Sequence, residues 1–338
     1  MRKKVAINGF GRIGRLVLRH LIHSHKIDVV AINDIAPLDN LLYLLKHDST
    51  QRVLDISIRR GKEQSFLYGD KEIAFISKKD PSDLPWKTLG VEIVIEATGL
   101  FTDRTQAAKH LKAGAKRVII SAPSDNVDRT ICMGVNEETF EGNKDIVVSN
   151  ASCVVNCLAP VAKVLDDHFS ILAGILTTVQ AYTHSQNIVD SPNIRWRRGR
   201  AGAVSLVPTK TGAENTIVKV LPQLEGKIDS MAIRVPIPAG SLIDFKVHTE
   251  KPVTVGLVNK AFIDESDTKK LKGILSTTTD ELVSVDIIGC DYSALVDLKS
   301  TTVVSDHDLR VLAWYDNEWA YAKRCADLGE YIATSKNL

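Results

Sequence analysis

The chain has 338 residues, 44% of them hydrophobic and 25% charged, with a formal net charge of +2. That length and balance predict a globular protein of two domains, each with chain enough for a core, and argue against a nucleic-acid or membrane-surface binder. Five cysteines, an odd number without disulfide-like spacing, point to a reducing, cytoplasmic setting, and no apolar run has the length of a signal peptide or membrane span.

The first strand is Val5-Ala6-Ile7-Asn8. It runs into Gly9-Phe10-Gly11-Arg12-Ile13-Gly14-Arg15 and then into a helical pattern through Leu16, Val17, Leu18 and Leu21. This is a glycine fingerprint in its required setting. Gly9 permits a tight turn, Gly11 lets a pyrophosphate approach the backbone, and Gly14 lets helix and strand pack closely. The phosphates would sit on the helix N-terminus. A second strand, Val29 to Asn33, ends in Asp34, twenty residues beyond Gly14. A carboxylate there accepts from ribose hydroxyls and repels a 2′-phosphate, which selects NAD over NADP. The alternative is a tight turn without a ligand.

Strands then alternate with helices. Val91 to Ala97 ends at Thr98-Gly99, a polar helix covers about 105–113, and Arg117 to Ile120 ends in Ser121-Ala122-Pro123. Such alternation means an α/β domain with a mostly parallel sheet, whose ligands bind at the carboxyl ends of the strands. Asp34, Thr98, Ser121 and Cys153 are expected near that rim.

Cys153 follows the strand Asp145-Ile146-Val147-Val148 and opens a helical pattern through Leu158, Val161, Val164 and Leu165. A thiol at a helix N-terminus has its pKa lowered and is nucleophilic at neutral pH. A buried structural cysteine is the competing reading. Cys153 and Cys157, one turn apart and without histidine partners, make a poor metal site, and no metal is expected.

Beyond Cys153 the strands lengthen and take on an antiparallel pattern. They are Ile175 to Thr183, Met231 to Val235, Leu242 to Val247, Leu282 to Asp286 and Leu309 to Tyr315. This predicts an α+β second domain with a mostly antiparallel sheet. Between the first two lies a long irregular stretch, Gln186 to Thr211, carrying Arg195-Trp196-Arg197-Arg198-Gly199-Arg200. Loops of that length carry function or an interface. Its arginines suit anionic substrate or intersubunit pairing better than nucleic acid. Glu318 to Ile332 reads as a helix that packs back on the first domain.

From end to end the chain resembles the phosphorylating glyceraldehyde-3-phosphate dehydrogenases. The motifs that carry the likeness are Ile7 to Arg15, Ser149-Asn150-Ala151-Ser152-Cys153, Thr211-Gly212-Ala213, Arg234-Val235-Pro236 and Trp314-Tyr315-Asp316-Asn317-Glu318. The resemblance implies an NAD domain at 1–151, a catalytic domain at 152–317, a helix at 318–338 returning to the first, and a homotetramer. It implies oxidation of glyceraldehyde 3-phosphate with NAD and inorganic phosphate to 1,3-bisphosphoglycerate, through a thiohemiacetal and then a thioester on Cys153. By the same resemblance the cofactor contacts are Gly9, Gly11, Arg12, Ile13, Gly14, Asp34, Lys79, Ser121 and Asn317. Ile35 and Pro192 match apolar positions of NAD-preferring members. Thr183 and Arg234 match the substrate-phosphate contacts. Arg198 matches one of paired arginines near the anion sites, and Ser152, Thr211 and Gly212 match the inorganic-phosphate site.

Three positions depart from the family pattern. Val154 replaces a threonine of the inorganic-phosphate site, Gln180 stands where the family keeps its histidine base, and Ser185 replaces an aspartate. Glutamine exchanges no proton at neutral pH but donates a hydrogen bond to an oxyanion. His184, four residues on, would lie roughly 13 Å from Gln180 at strand rise. The alternatives are therefore a slow enzyme of this kind, an erythrose-4-phosphate dehydrogenase, and an NAD-binding regulatory relative with little turnover.

Overall fold

The computed structural model describes residues 2–335. They form two compact units, one comprising the chain up to Ile131, Glu137–Ala151 and the stretch from Ala322, the other Cys132–Asn136 and Ser152–Tyr321.

The first unit is built on a nine-stranded sheet. Its first strand, Lys3–Asn8, is fully covered from Val5 onward and lies between Ile27–Asn33 and Ile93–Glu96, parallel to both. The sheet grows outward from it on either side. Arg117–Ile120, Val147–Ser149 and Arg129–Thr130 continue one wing; Lys71–Ile76 extends the other, edged by the antiparallel strands Ser65–Tyr68 and Ile58–Arg60. The first strand is thus the point where strand order reverses, and the carboxyl ends of its neighbours diverge there to leave a crevice. The sequence had not singled out the antiparallel edge. The single helix predicted at 105–113 is two short turns, Arg104–Ala107 and Lys109–Lys112, the first capped by Asp103, which accepts from the Thr105 N–H at 2.7 Å. In the final helix, Trp319–Thr334, a Cβ at Gly329 would come within 3.3 Å of Ile27, so glycine lets this helix lie close on the sheet.

The second unit holds a seven-stranded sheet in the order Val207–Thr209, Ile228–Val235, Ile171–Ala181, Ser241–Thr249, Asp308–Tyr315, Ala294–Ser305 and Leu275–Thr278. Most pairs are antiparallel. Ile171–Ala181 with Ile228–Val235, and Leu275–Thr278 with Ala294–Ser305, are parallel. The helix Cys153–Phe169 packs on this sheet and on the helix Val255–Ser266, and is buried almost all round. Hence its sequence is apolar on more than one face. On the uncovered face Ile175, Met231 and Val304 stand exposed.

One predicted strand fails. Leu282–Asp286 gives way to a 3-10 turn at Ser284–Ile287. Val283 and Val285 are exposed, so no partner rewards the β-branched run. The Asp286 carboxylate accepts the Val283 N–H at 2.8 Å, a local bond that competes with a strand.

Candidate active site

Cys153 is the first residue of its helix. Ser152 is the N-cap, its Oγ accepting the Val155 N–H at 3.1 Å. Ala151, just before the cap, takes a positive φ of 54°, and the turn is tied by the Ser149 hydroxyl, which accepts the Ala151 N–H. The thiol is thereby presented at the start of a helix buried from Val154 to Ala162.

Four strand ends of the second unit converge on this point. Gln180, 3% exposed, donates from Nε2 to the Cys153 Sγ at 3.3 Å. Arg234 is its register partner on the neighbouring parallel strand, 8% exposed, donating from Nη1 to the Ala181 carbonyl at 3.1 Å. The Arg234 Nε is buried without a partner among the described residues. Tyr315 shares a 2.8 Å hydrogen bond with the Thr178 hydroxyl. Ser241 accepts the Ala181 N–H and donates to the Asn317 Oδ1 at 2.9 Å, which fixes the buried Asn317 amide.

The electrostatics correct one expectation. Burial pushes the Cys153 thiol above its ordinary pKa; Arg234 and the N–H groups of Val154 and Cys153 pull it back, and Glu318 pushes it up further. The helix N-terminus does act in the expected direction, but desolvation of a thiolate outweighs it. Burial also drives Tyr315 and Cys157 well above their usual values, so both are neutral at pH 7.

The other anion candidates gather on the segment after Ala181. Thr183 Oγ1 lies 2.9 Å from Ser185 Oγ, and Arg198 donates to that same hydroxyl at 3.4 Å, to Thr209 Oγ1 at 3.1 Å and to the Lys210 carbonyl. Burial, with Arg234 and Arg195 nearby, lowers the Arg198 pKa to about 10. Gly212 has φ +75° and caps the helix Ala213–Ile217; Thr211 precedes it. Val154 is buried, contributing packing at the first turn. His184 is exposed, past the end of the Gln180 strand.

In the first unit, a cleft of about 380 Å³ opens at the reversal point, lined by Asn8, Gly9, Gly11, Asp34, Lys79 and Thr98 among others. Gly9 has φ +93°, and a Cβ there would sit 2.5 Å from the Thr98 nitrogen. At Gly14 a Cβ would meet the Gly9 carbonyl at 2.0 Å, while at Gly11 it would meet open space. Tight turn, close packing and open approach therefore fall on three different glycines. Asp34 does more than face the cleft: its Oδ2 accepts the Phe10 N–H at 2.7 Å and its Oδ1 the Ala36 N–H at 2.9 Å. Arg12 is engaged by Asp48. Ile13 is half-buried on the first helix, and Ser121, at the end of its strand, does not line the cleft.

Beneath the cleft runs a buried polar network that sequence reading missed. Trp86 donates to His110 Nδ1 at 2.9 Å; His110 Nε2 lies 3.0 Å from Glu96 Oε2; Asn8 donates to the same oxygen at 2.5 Å and accepts from Asn33 at 2.7 Å. Indole nitrogen only donates, so the imidazole proton is on Nε2, facing Glu96. The sequence signal was present in Asn8, Asn33 and Glu96, three polar residues at adjacent ends of otherwise apolar strands.

A doubly wound sheet with a fingerprint crevice, joined in one chain to a unit presenting a thiol at a helix start, defines a nicotinamide-dinucleotide-dependent oxidoreductase. The residues fit NAD: open space beside Gly11 at a helix N-terminus suits a pyrophosphate, and the Asp34 carboxylate suits ribose hydroxyls. The chain belongs to the glyceraldehyde-3-phosphate dehydrogenase family, whose NAD binding domain matches residues 3–104 and whose C-terminal domain matches residues 152–317. It is 47% identical over 334 residues to glyceraldehyde-3-phosphate dehydrogenase of Geobacillus stearothermophilus, covering 99% of each chain. It is 45% identical over 335 residues to glyceraldehyde-3-phosphate dehydrogenase 1 of Bacillus cereus, again covering 99% of each. The corresponding Chlamydia pneumoniae protein is 47% identical over 331 residues, 97% of this chain and 98% of that one.

Proposed function

We propose that this NAD-dependent oxidoreductase converts glyceraldehyde 3-phosphate and inorganic phosphate to 1,3-bisphosphoglycerate through a Cys153 thioester, with a slow proton transfer. The observation that carries this reading is the Gln180 amide 3.3 Å from the Cys153 sulfur. Cys153 adds to the aldehyde carbon, giving a thiohemiacetal. The Gln180 N–H, already aimed at the sulfur, stabilises the oxygen that forms beside it. Gly9, Gly11, Asp34 and Lys79 would hold NAD, which when bound would supply the hydride acceptor for the oxidation. Gln180 takes no proton, so the hydroxyl proton of the thiohemiacetal passes to water or hydroxide, and turnover is slow at neutral pH. Thr183 and Arg234 hold the phosphate of the substrate. Ser152, Thr211, Gly212 and Arg198 hold the inorganic phosphate that releases the acyl group, without the hydroxyl that Val154 lacks.

A steady-state assay with glyceraldehyde 3-phosphate and with erythrose 4-phosphate, each with and without phosphate, tests this. Phosphate-dependent NADH formation with the triose supports it. Faster turnover of the tetrose replaces it with the erythrose-4-phosphate reading, and absence of turnover with both aldehydes replaces it with the NAD-binding regulatory one, which Val154 and Gln180 favour.

Assembly as a homotetramer is part of the same reading. Its support is the exposed apolar surface of the second unit: Ile175 and Val304 on the open sheet face, and Ile188, Ile194, Trp196 and Val204 on the long loop. Sedimentation velocity at micromolar concentration decides it, a monomer being the contrary result. Among the described residues no helix is long and apolar enough to cross a membrane. A cytoplasmic site rests on the five free cysteines, which suit a reducing compartment.

A further inference from the structure

The reading of Cys153 as nucleophile leaves open what makes its sulfur ionise, since the residue hydrogen-bonded to it is a neutral amide. Charged and titratable groups face the thiol from each element packed around it. The strand Ile171–Ala181 contributes Gln180, which carries no charge. The strand Asp308–Tyr315 contributes Tyr315, whose phenol stays protonated in its buried setting. The site helix itself contributes Cys157, equally neutral. Glu318, beyond the Tyr315 strand, opposes a thiolate. The strand Ile228–Val235 contributes Arg234.

Arg234 is built for a charge it does not meet among the described residues. It stands in register with Gln180 on the adjoining parallel strand, so both side chains leave the same sheet face toward the start of the site helix. It donates from Nη1 to the Ala181 carbonyl, and among the described residues its buried Nε has no partner. A guanidinium that is 8% exposed and, among the described residues, unmatched by a carboxylate is costly to keep, and an anion beside it recovers that cost. The sulfur lies 3.3 Å from the amide of Gln180, the register partner of Arg234, and is an ionisable group on that side of the strand pair.

We propose that Arg234 is the cationic partner of the Cys153 thiolate in this protein, and that an oxyanion bound at Arg234 therefore makes the thiol less reactive. The proposal deepens the reading of Cys153 as nucleophile. It gives Arg234 a second duty beside phosphate recognition and couples the two: the same guanidinium charge that holds a dianion is withdrawn from the sulfur. The electrostatic balance at the thiol agrees, with Arg234 the cation that lowers its pKa and Cys153 in turn raising that of Arg234.

The test is the rate of Cys153 alkylation by iodoacetamide against pH, read at that residue by peptide mass spectrometry. Only the thiolate reacts, so the midpoint reports its ionisation. Removal of the positive charge that stands in register with Gln180, Arg234→Gln, should move the midpoint up by about one pH unit, so that alkylation at pH 7 slows about tenfold. Arg234→Lys, which keeps the charge, should recover most of the native rate. Glycerol 3-phosphate, a phosphate monoester with no aldehyde to react, should slow alkylation of the native protein at pH 7 and leave Arg234→Gln unaffected. In the Gln180→His background, where an imidazolium supplies a second cation, Arg234→Gln should shift the midpoint less than it does alone. A purely structural role for Arg234 would not produce the lysine rescue or this non-additivity. The proposal is overturned if Arg234→Gln keeps the native midpoint, or if Arg234→Lys fails to rescue it. Should the glutamine variant not fold, the native protein decides: alkylation indifferent to saturating glycerol 3-phosphate overturns the proposal. None of these readings involves aldehyde turnover, so a failure of the proposed reaction is seen separately.

Discussion

The Gln180 amide nitrogen lies 3.3 Å from the Cys153 sulfur, close enough to donate a hydrogen bond and chemically unable to accept a proton. Position without proton transfer is the central property of this site, and the first prediction follows from it. Acylation by aldehyde should be slow at pH 7 and climb into the alkaline range, because solvent must remove the thiohemiacetal proton. Gln180→His should raise the single-turnover rate at pH 7 by an order of magnitude or more. Rapid-quench measurements against pH for both forms check this. A fast native rate that histidine does not improve would move attention to His184, exposed beyond the strand.

Val154→Thr should lower the apparent phosphate constant. It returns one hydroxyl to the first turn of the site helix, and a hydrogen bond to a charged group contributes about 1.5–3 kcal/mol. The dependence of thioester release on phosphate concentration reads it directly. An unchanged constant means that the buried valine position does not face the anion.

Asp34 should make NAD bind at least tenfold more tightly than NADP, about 1.4 kcal/mol, by meeting a 2′-phosphate with like charge. Its bond to the Phe10 N–H adds a second consequence. Asp34→Ala should lose affinity for both dinucleotides as the glycine turn loosens, as well as narrowing the preference. Calorimetry with each cofactor gives both numbers, and equal affinities in the native protein would refute this account of Asp34.

Tyr315→Phe should destabilise the second unit by about 1 kcal/mol through loss of the buried bond to Thr178. The phenol is neutral at pH 7 and its burial is unchanged by the substitution, so the loss should not vary between pH 6 and 8. Urea midpoints across that range provide the measurement. A loss confined to one end of the range would mean that a titrating neighbour, not the hydrogen bond, sets the stability.

Much of this was legible because the signals were local. Strand, glycine turn and helix follow one another from Lys3 to Leu21, and Gly9 and Gly14 answer to contacts across one strand or within a few residues. The start of the site helix was legible for the same reason, since Ser152 caps it and the apolar pattern begins at once. Leu282–Asp286 shows the limit of such reading. Its β-branched residues predict a strand, but a strand needs a partner edge, and an aspartate three residues on offers a nearer bond. The polar strand Leu275–Thr278 shows the converse, owing its place to parallel pairing with Ala294–Ser305.

The α/β class of the first unit, the mostly antiparallel sheet of the second and the dinucleotide the family uses could all be read along the chain. Each depends on periodicity and on turn residues a few positions apart. The surroundings of the thiol could not be read that way. Cys153, Gln180, Arg234 and Tyr315 are separated by tens of residues, and the register of three strands sets which of them meet. Folding also sets the direction of the thiol's pKa, because the local helix N-terminus pulls one way and the burial created by distant strands pulls harder the other. Capping and turn chemistry belong to a few neighbouring residues; desolvation is a property of everything packed around a group, and exists only once the chain has folded.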